Sequence, residues 1–458
     1  MQFDTLIHNA VILMCNPGFD ILREGWVGVS GGKIQALGTG PASGRTEARE
    51  RIDARGGILM PGLVNTHTHL PMTLFRGLAD DLPLQAWLND HIFPAERTVI
   101  RPETVRWGTL LACAEMALSG TTTCCDGYFF AEAVAQAVHD FGLRAVIAQG
   151  VIDHPAPGVP DPALNLSVAR QFCNRWLARS ERIRPSVFCH APYTCSAETL
   201  SGAKRLCEEF GLLFQVHAAE TRWENEHLRS VHGASPVGLL ARAGVLDERA
   251  LLAHCVWVDA DDIAVIAGRR TKVSHNPESN MKLGSGVAPV VEMHAAGITV
   301  GIGTDGCASN NDMDLFQAMD MTAKLHKVMR LDPIVLSAET VIRMATIDGA
   351  RTLGLDGEIG SIEIGKQADL IVIDTRKPHL TPIHHPASAV VYAAKGSDVQ
   401  TVMVAGRLLV RDRRVATIDL EEALHQVARI SGVLKNHASN RDLDSRGVAE
   451  VDHFERKS

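Results

Sequence analysis

No basic run interrupts this chain: 45 lysines and arginines are interspersed with 53 aspartates and glutamates, for a formal net charge of −8. Nucleic-acid binding leaves a positive footprint, so RNA and DNA are not expected as partners. No apolar stretch reaches the roughly 20 residues that cross a bilayer, and no membrane association is expected. The opening residues, Met1-Gln-Phe-Asp-Thr-Leu-Ile-His8, lack the basic start, apolar core and small-residue cleavage site of a secretory signal. A cytoplasmic location is therefore expected. A cysteine framework is missing too. Ten cysteines are scattered through apolar segments, with Cys124 and Cys125 adjacent and no CxxC pair. In a reducing compartment such residues are buried thiols, and a structural zinc cluster of cysteines is not expected.

What is present is length and alternation. The 458 residues suffice for an α/β barrel of roughly 250 residues with a smaller domain beside it. Residues 1–58 alternate apolar and polar over Asp4 to Met14 and Trp26 to Ala36, with Gly31-Gly32 as a turn, which reads as antiparallel β. Such a piece is too rich in edges to stand alone. Its natural partners lie after residue 365: the strand ending at Ile373, a second at Ala389 to Ala393, and a third over Gln400 to Arg411. Both chain ends would then form one small β-sandwich (1–58 and 366–415). A helix (Leu420 to Asn436) and a polar tail from about Ser439 complete the 416–458 segment.

Between them, residues 59–365 read as short apolar strands alternating with amphipathic helices. A first strand spans Ile58 to Val64; the others are Thr121 to Tyr128, Arg144 to Ile152, Pro185 to Cys189, Leu213 to Val216, Leu251 to Val256, Lys272 to Ser274 and Thr299 to Ile302. Eight strands with intervening helices imply a parallel sheet closed into a (β/α)₈ TIM-like barrel. Catalytic side chains in such barrels sit at the C-terminal strand ends, and polar residues recur there. The first strand leads to His67 and His69, spaced to share one face. The fourth ends in His190, the fifth carries His217 and Glu220, the sixth His254, the seventh His275, and the eighth Asp305. The His67/His69 pair alone fits a metal or two surface histidines equally well. Repetition of polar groups at one edge of many strands is harder to dismiss, because burying them unpaired is costly.

These residues resemble the amidohydrolase superfamily: His-Thr-His after the first strand, histidines on the fifth and sixth, aspartate on the eighth. His67-Thr-His-Leu-Pro-Met-Thr-Leu-Phe-Arg-Gly77, Trp87 to Glu96, Ser274-His-Asn-Pro-Glu-Ser-Asn-Met-Lys-Leu-Gly284 and Gly303-Thr-Asp-Gly-Cys-Ala-Ser-Asn-Asn311 are similar to the methylthioadenosine/S-adenosylhomocysteine deaminase branch. The resemblance covers about residues 3 to 415. It implies that His67, His69, His217 and Asp305 hold one divalent metal, with zinc favoured, although iron, manganese or nickel also suit the donors. Binuclear relatives use a lysine at the end of the fourth strand, and none stands there.

The resemblance further implies a hydrolytic deaminase of adenosine-type nucleosides. Asp305 would take a proton from the attacking water, Glu220 would protonate the ring nitrogen beside the reacting carbon, and His254 would orient the nucleophile. Trp87, Glu96, Gln149 and His190 match substrate-contacting positions. Blander readings remain open: Glu220 as the start of a helix, His254 as a brace, Trp87 as a core anchor, Glu96 paired with Arg97, and His275 as a structural hydrogen-bonder. Where relatives that take S-adenosylhomocysteine place an arginine, this chain has Gln149. The expected preference is therefore 5′-methylthioadenosine, with adenosine accepted and S-adenosylhomocysteine poorer. The partner is a small-molecule nucleoside, and a homo-oligomer is expected. Rivals are another amidohydrolase chemistry (guanine or cytosine deamination, triazine hydrolysis) and a non-catalytic barrel scaffold. The signature of zinc deaminases that act on nucleic-acid bases, H-x-E with P-C-x-x-C, is absent.

Overall fold

The computed structural model describes residues 2–41 and 47–434; the polar tail from Ser439 lies outside them. Five strands open the chain: β1 (Gln2–Leu13), β2 (Ile21–Ser30), β3 (Lys33–Thr39), β4 (Glu47–Asp53) and β5 (Ile58–Pro61). Eight parallel strands follow: β6 (Leu63–Thr68), β7 (Thr121–Tyr128), β8 (Arg144–Val151), β9 (Ile183–Cys189), β10 (Phe214–Ala218), β11 (Ala250–His254), β12 (Lys272–His275) and β13 (Val300–Ile302). Four more, β14 (Leu370–Ile373), β15 (Val399–Val404), β16 (Arg407–Arg411) and β17 (Arg414–Val415), come last.

Strands β6 to β13 lie side by side in chain order, with helices between them. Every residue of β7 and β8 is buried, as a parallel sheet covered on both faces requires. The seam between β13 and β6 is bridged where the chemistry lies. The Asp305 N–H donates to the His67 carbonyl at 3.0 Å. Asn65 Nδ2 donates to Thr304 Oγ1 at 2.8 Å, and Asn65 Oδ1 accepts the Thr304 N–H at 3.1 Å. A Cβ on Gly301 would sit 2.5 Å from Thr66 Cγ2, so this approach of β13 to β6 tolerates only glycine. Closing the seam therefore sets His67 beside Asp305, which are 238 residues apart in the chain.

The other nine strands form one sheet from both chain ends, as expected in composition but not in pattern. β1 is antiparallel to β2 yet parallel to β4 and β5, so the expected antiparallel sandwich is a mixed sheet. The long connection from β1 to β5 is what permits parallel pairing. The sheet is tied to the barrel by Arg144, which opens β8 and pairs in a bidentate manner with Asp369 just before β14, at 2.7 and 3.2 Å, both side chains buried.

Two elements differ from expectation for local reasons. The stretch Ile58 to Val64 is not one strand: it breaks at Gly62, passing from the end sheet to the barrel. A Cβ at Gly62 would lie 2.1 Å from the Thr122 side chain, and Pro61 offers no N–H to continue a ladder. Ala389 to Ala393 is not a strand but part of a helix, Pro386–Tyr392. Ala387, Val390 and Val391 are buried along it and Ala394 just past its end, an i, i+3, i+4, i+7 pattern, and Pro386 stands where a helix accepts proline. Residues 420–434 are helical.

Candidate active site

β6 delivers His67 from the strand itself, while His69 caps the short 3₁₀ helix Leu70–Phe75 that follows. His217 comes from β10 and Asp305 from the turn just past β13. Their donor atoms converge within 4.8 Å of one another. His217 Nε2 lies 3.2 Å from His67 Nε2 and 3.3 Å from His69 Nε2. Asp305 Oδ1 is 3.4 Å from His67 Nε2 and 3.3 Å from His69 Nε2. Two donors about 2.0–2.1 Å from one tetrahedral zinc stand about 3.3 Å apart. The donor set therefore fits a single cation.

The protonation states fit it as well. Burial holds His67 down to about 4, against the pull of Asp305, and burial likewise lowers His69 and His217. All three imidazoles are then neutral at pH 7 and offer lone pairs. Burial pushes the Asp305 carboxyl up, but the hydrogen bond and charge from His67, with His69 and His254, hold it well below the usual range. Supporting bonds fix the tautomers and rotamers. His69 Nδ1 donates to the Gly127 carbonyl at 2.6 Å, leaving Nε2 as the donor atom. Asp305 Oδ2 accepts from Ser279 Oγ at 2.7 Å and Ser309 Oγ at 2.9 Å, and Oδ1 accepts the Gly306 N–H at 2.8 Å. Phe188 packs its ring 4.8 Å from that of His217, edge to face.

Glu220 and His254 face the same space. His254 Nδ1 donates to Asn280 Oδ1 at 2.8 Å, which turns Nε2 toward Glu220 Oε2 at 4.0 Å and Asp305 Oδ2 at 3.9 Å. Burial would lower the His254 pKa, but the Glu220 and Asp305 carboxylates outweigh it and raise it. Burial raises that of Glu220, with His254 opposing. His254 and Asp305 adopt φ of +76° and +64°. Left-handed backbone is uncommon for residues with a Cβ and clusters at functional sites.

Around this centre lies a chamber of about 90 Å³, and Leu88, Phe93, Glu96, Phe129, His190 and Tyr193 line both it and an outer one of about 400 Å³. Trp87 is buried in the inner wall. Glu96 is buried between the two chambers and accepts a hydrogen bond from Tyr128 Oη at 2.5 Å, rather than pairing with Arg97. Burial pushes Glu96 up to about 7 against that bond. His190 lines both chambers, its Nδ1 2.8 Å from Thr194 Oγ1. Gln149 is not brought to the site. Side chains alternate along a strand, and Gly150 is the neighbour that borders the inner chamber. Gln149 Oε1 accepts the Ala131 N–H at 3.3 Å and the side chain lines a separate cleft with Phe130 and Phe172. His275 pairs with His326, Nε2 to Nε2 3.3 Å, away from the four donors. Sequence reading missed Tyr128, Asn280, Ser279 and Ser309. The last three stand inside the two motifs singled out above, so a signal existed without roles attached.

Three imidazoles and a carboxylate converging at the C-terminal mouth of a parallel barrel define the class: a barrel enzyme with a candidate metal centre. Within that class the chain belongs to the amidohydrolase family, whose profile matches residues 58–409. It is 44% identical over 429 residues to a Syntrophus aciditrophicus protein named 5-methylthioadenosine/S-adenosylhomocysteine deaminase 1, covering 93% of this chain and 97% of that one. It is 43% identical over 426 residues to a 5′-deoxyadenosine deaminase of Methanosarcina acetivorans, covering 92% and 96%. Among solved structures, an adenosine deaminase from Xanthomonas campestris with bound zinc superimposes with a TM-score of 0.92 at 36% identity, covering 95% and 99%.

Proposed function

We propose that the protein is a metal-dependent hydrolase that replaces the 6-amino group of an adenosine-type nucleoside by a 6-oxo group and releases ammonia. The observation that carries the reading is the convergence of His67, His69, His217 and Asp305 with Glu220 and His254 beside them in one cavity. The four donors would hold one divalent ion, zinc first. When bound, such an ion would lower the pKa of a water to near neutrality, supplying a nucleophile at neutral pH. Asp305 takes the proton of that attacking water. Glu220 delivers a proton to the ring nitrogen next to the reacting carbon, drawing electrons from it. His254, held between two carboxylates, orients the nucleophile and balances charge as the tetrahedral centre forms.

Trp87 walls the base, Glu96 receives the ribose hydroxyls, and His190 contacts the nucleoside. The 5′ substituent then extends into the outer chamber, whose lining is largely apolar and aromatic. Among the described residues, Arg97 is the only lysine or arginine along either chamber, and it is exposed. An exposed cation adds little to a carboxylate, about 0–1 kcal/mol. The preferred substrate is therefore 5′-methylthioadenosine, with adenosine accepted and S-adenosylhomocysteine poorer. Steady-state comparison of the three nucleosides tests this: kcat/KM for S-adenosylhomocysteine is expected to fall about tenfold or more below that for methylthioadenosine. Equal values would remove the stated preference.

A further inference from the structure

Glu220 is buried, yet its carboxylate has no hydrogen-bond partner among the described residues. Its aim toward His254 Nε2, 4.0 Å away, must come from its backbone. That backbone is held on both sides. Ala219 is left-handed, φ +52°, and its carbonyl accepts the N–H groups of Val256 at 2.9 Å and Trp257 at 2.8 Å. From the other side a second carboxylate, Glu224, reaches back from the helix Arg222–His232. Its Oε2 accepts the Glu220 N–H at 2.8 Å and its Oε1 accepts the Ala219 N–H at 3.2 Å. Glu224 is 1% exposed, and among the described residues it forms no ion pair.

Ordinary capping does not explain this arrangement. Thr221 caps the helix, its Oγ1 accepting the Glu224 N–H at 3.1 Å. In a capping box the third helical residue returns the favour to the N–H of the cap itself. Glu224 instead passes over Thr221 and grips the two residues before it. A buried carboxylate is costly, and here both its oxygens are spent on the peptide that carries Glu220.

We infer that Glu224 is a positioning residue for the deamination reaction, fixing the direction of the Glu220 carboxylate by clamping the 219–220 backbone. The inference rests on the proposed proton-transfer role of Glu220. Misplacement of a reacting group by about 1 Å can cost 10²-fold, so Glu224→Gln is expected to lower kcat by about 10- to 100-fold, with KM within about threefold. Bound metal should stay at the wild-type level. Glu224→Asp, which keeps the carboxyl group but retracts its oxygens, is expected to fold and to lose kcat likewise; full kcat in that variant would overturn the inference.

A double-mutant cycle on the purified, metal-loaded enzyme decides whether the effect travels through Glu220. In a Glu220→Gln background, Glu224→Gln is expected to change kcat by less than about twofold. Multiplication of the two losses would overturn the positioning role while leaving that of Glu220 intact. A fully active Glu220→Gln enzyme would overturn both. Thr221→Ala serves as the control for helix capping, lowering the melting temperature with kcat within about twofold. A kcat loss equal to that of Glu224→Gln would assign the effect to the helix start and contradict the inference.

Discussion

Glu220→Gln is expected to lower kcat for nucleoside deamination by about 10²- to 10⁴-fold, the range that a positioned general acid–base contributes. Glutamine fills the same space and cannot deliver a proton to the purine ring. Glu220 stands outside the four-donor group, so metal content should match wild type. KM should change little, because the contribution lies in the transition state and not in ground-state binding. The direction of its pKa agrees with the role: burial raises it, which favours the protonated form a donor needs, and Asp305 adds to that while His254 opposes. Undiminished kcat would take Glu220 out of the chemistry. Loss of bound metal would instead make it part of the ligand shell.

Asp305→Asn should have the other large effect. Asp305 supplies the only negative charge among the four donors and accepts hydrogen bonds from Ser279, Ser309 and the Gly306 N–H. An amide of the same shape still reaches the site, but it brings no charge, and its NH₂ meets either the two hydroxyls or the Gly306 N–H, all of which were donating. Groups that only support a ligand typically contribute 10–100-fold to affinity or activity. Losing the ligand itself is expected to exceed that, on the order of 10³-fold in kcat/KM, with bound metal falling in parallel. Metal analysis of the purified variant beside its activity checks both. A variant with full metal and less than about tenfold loss would show that Asp305 is neither ligand nor base.

The sequence carried some of this plainly. The barrel strands are short apolar runs separated by helical patterns, and β7 and β8 begin where expected. The polar residues that follow them in the chain are few enough to name. What failed did so for physical reasons. Ala389 to Ala393 is an apolar run too short for its period to choose between strand and helix, and only burial of Ala387 and Ala394 exposes the helical spacing. The break at Gly62 depends on Thr122, a side chain from another strand. Gln149 was placed at the correct strand end on the wrong face, since Gly150, with no side chain, is the inward position. Tyr128 was invisible for a different reason. Its role is a hydrogen bond to Glu96, and no spacing in a linear chain encodes a partner 32 residues away.

The most direct measurement is ammonia release from methylthioadenosine by chelator-stripped protein titrated with zinc. Activity is expected to be absent at the start, to rise linearly, and to level off at about one ion per chain, as a mononuclear site with three nitrogens and one carboxylate requires. Stripped protein that deaminates as fast as the loaded enzyme would contradict a role for the four-donor site in catalysis. A plateau reached only at two ions per chain would contradict a single-metal centre.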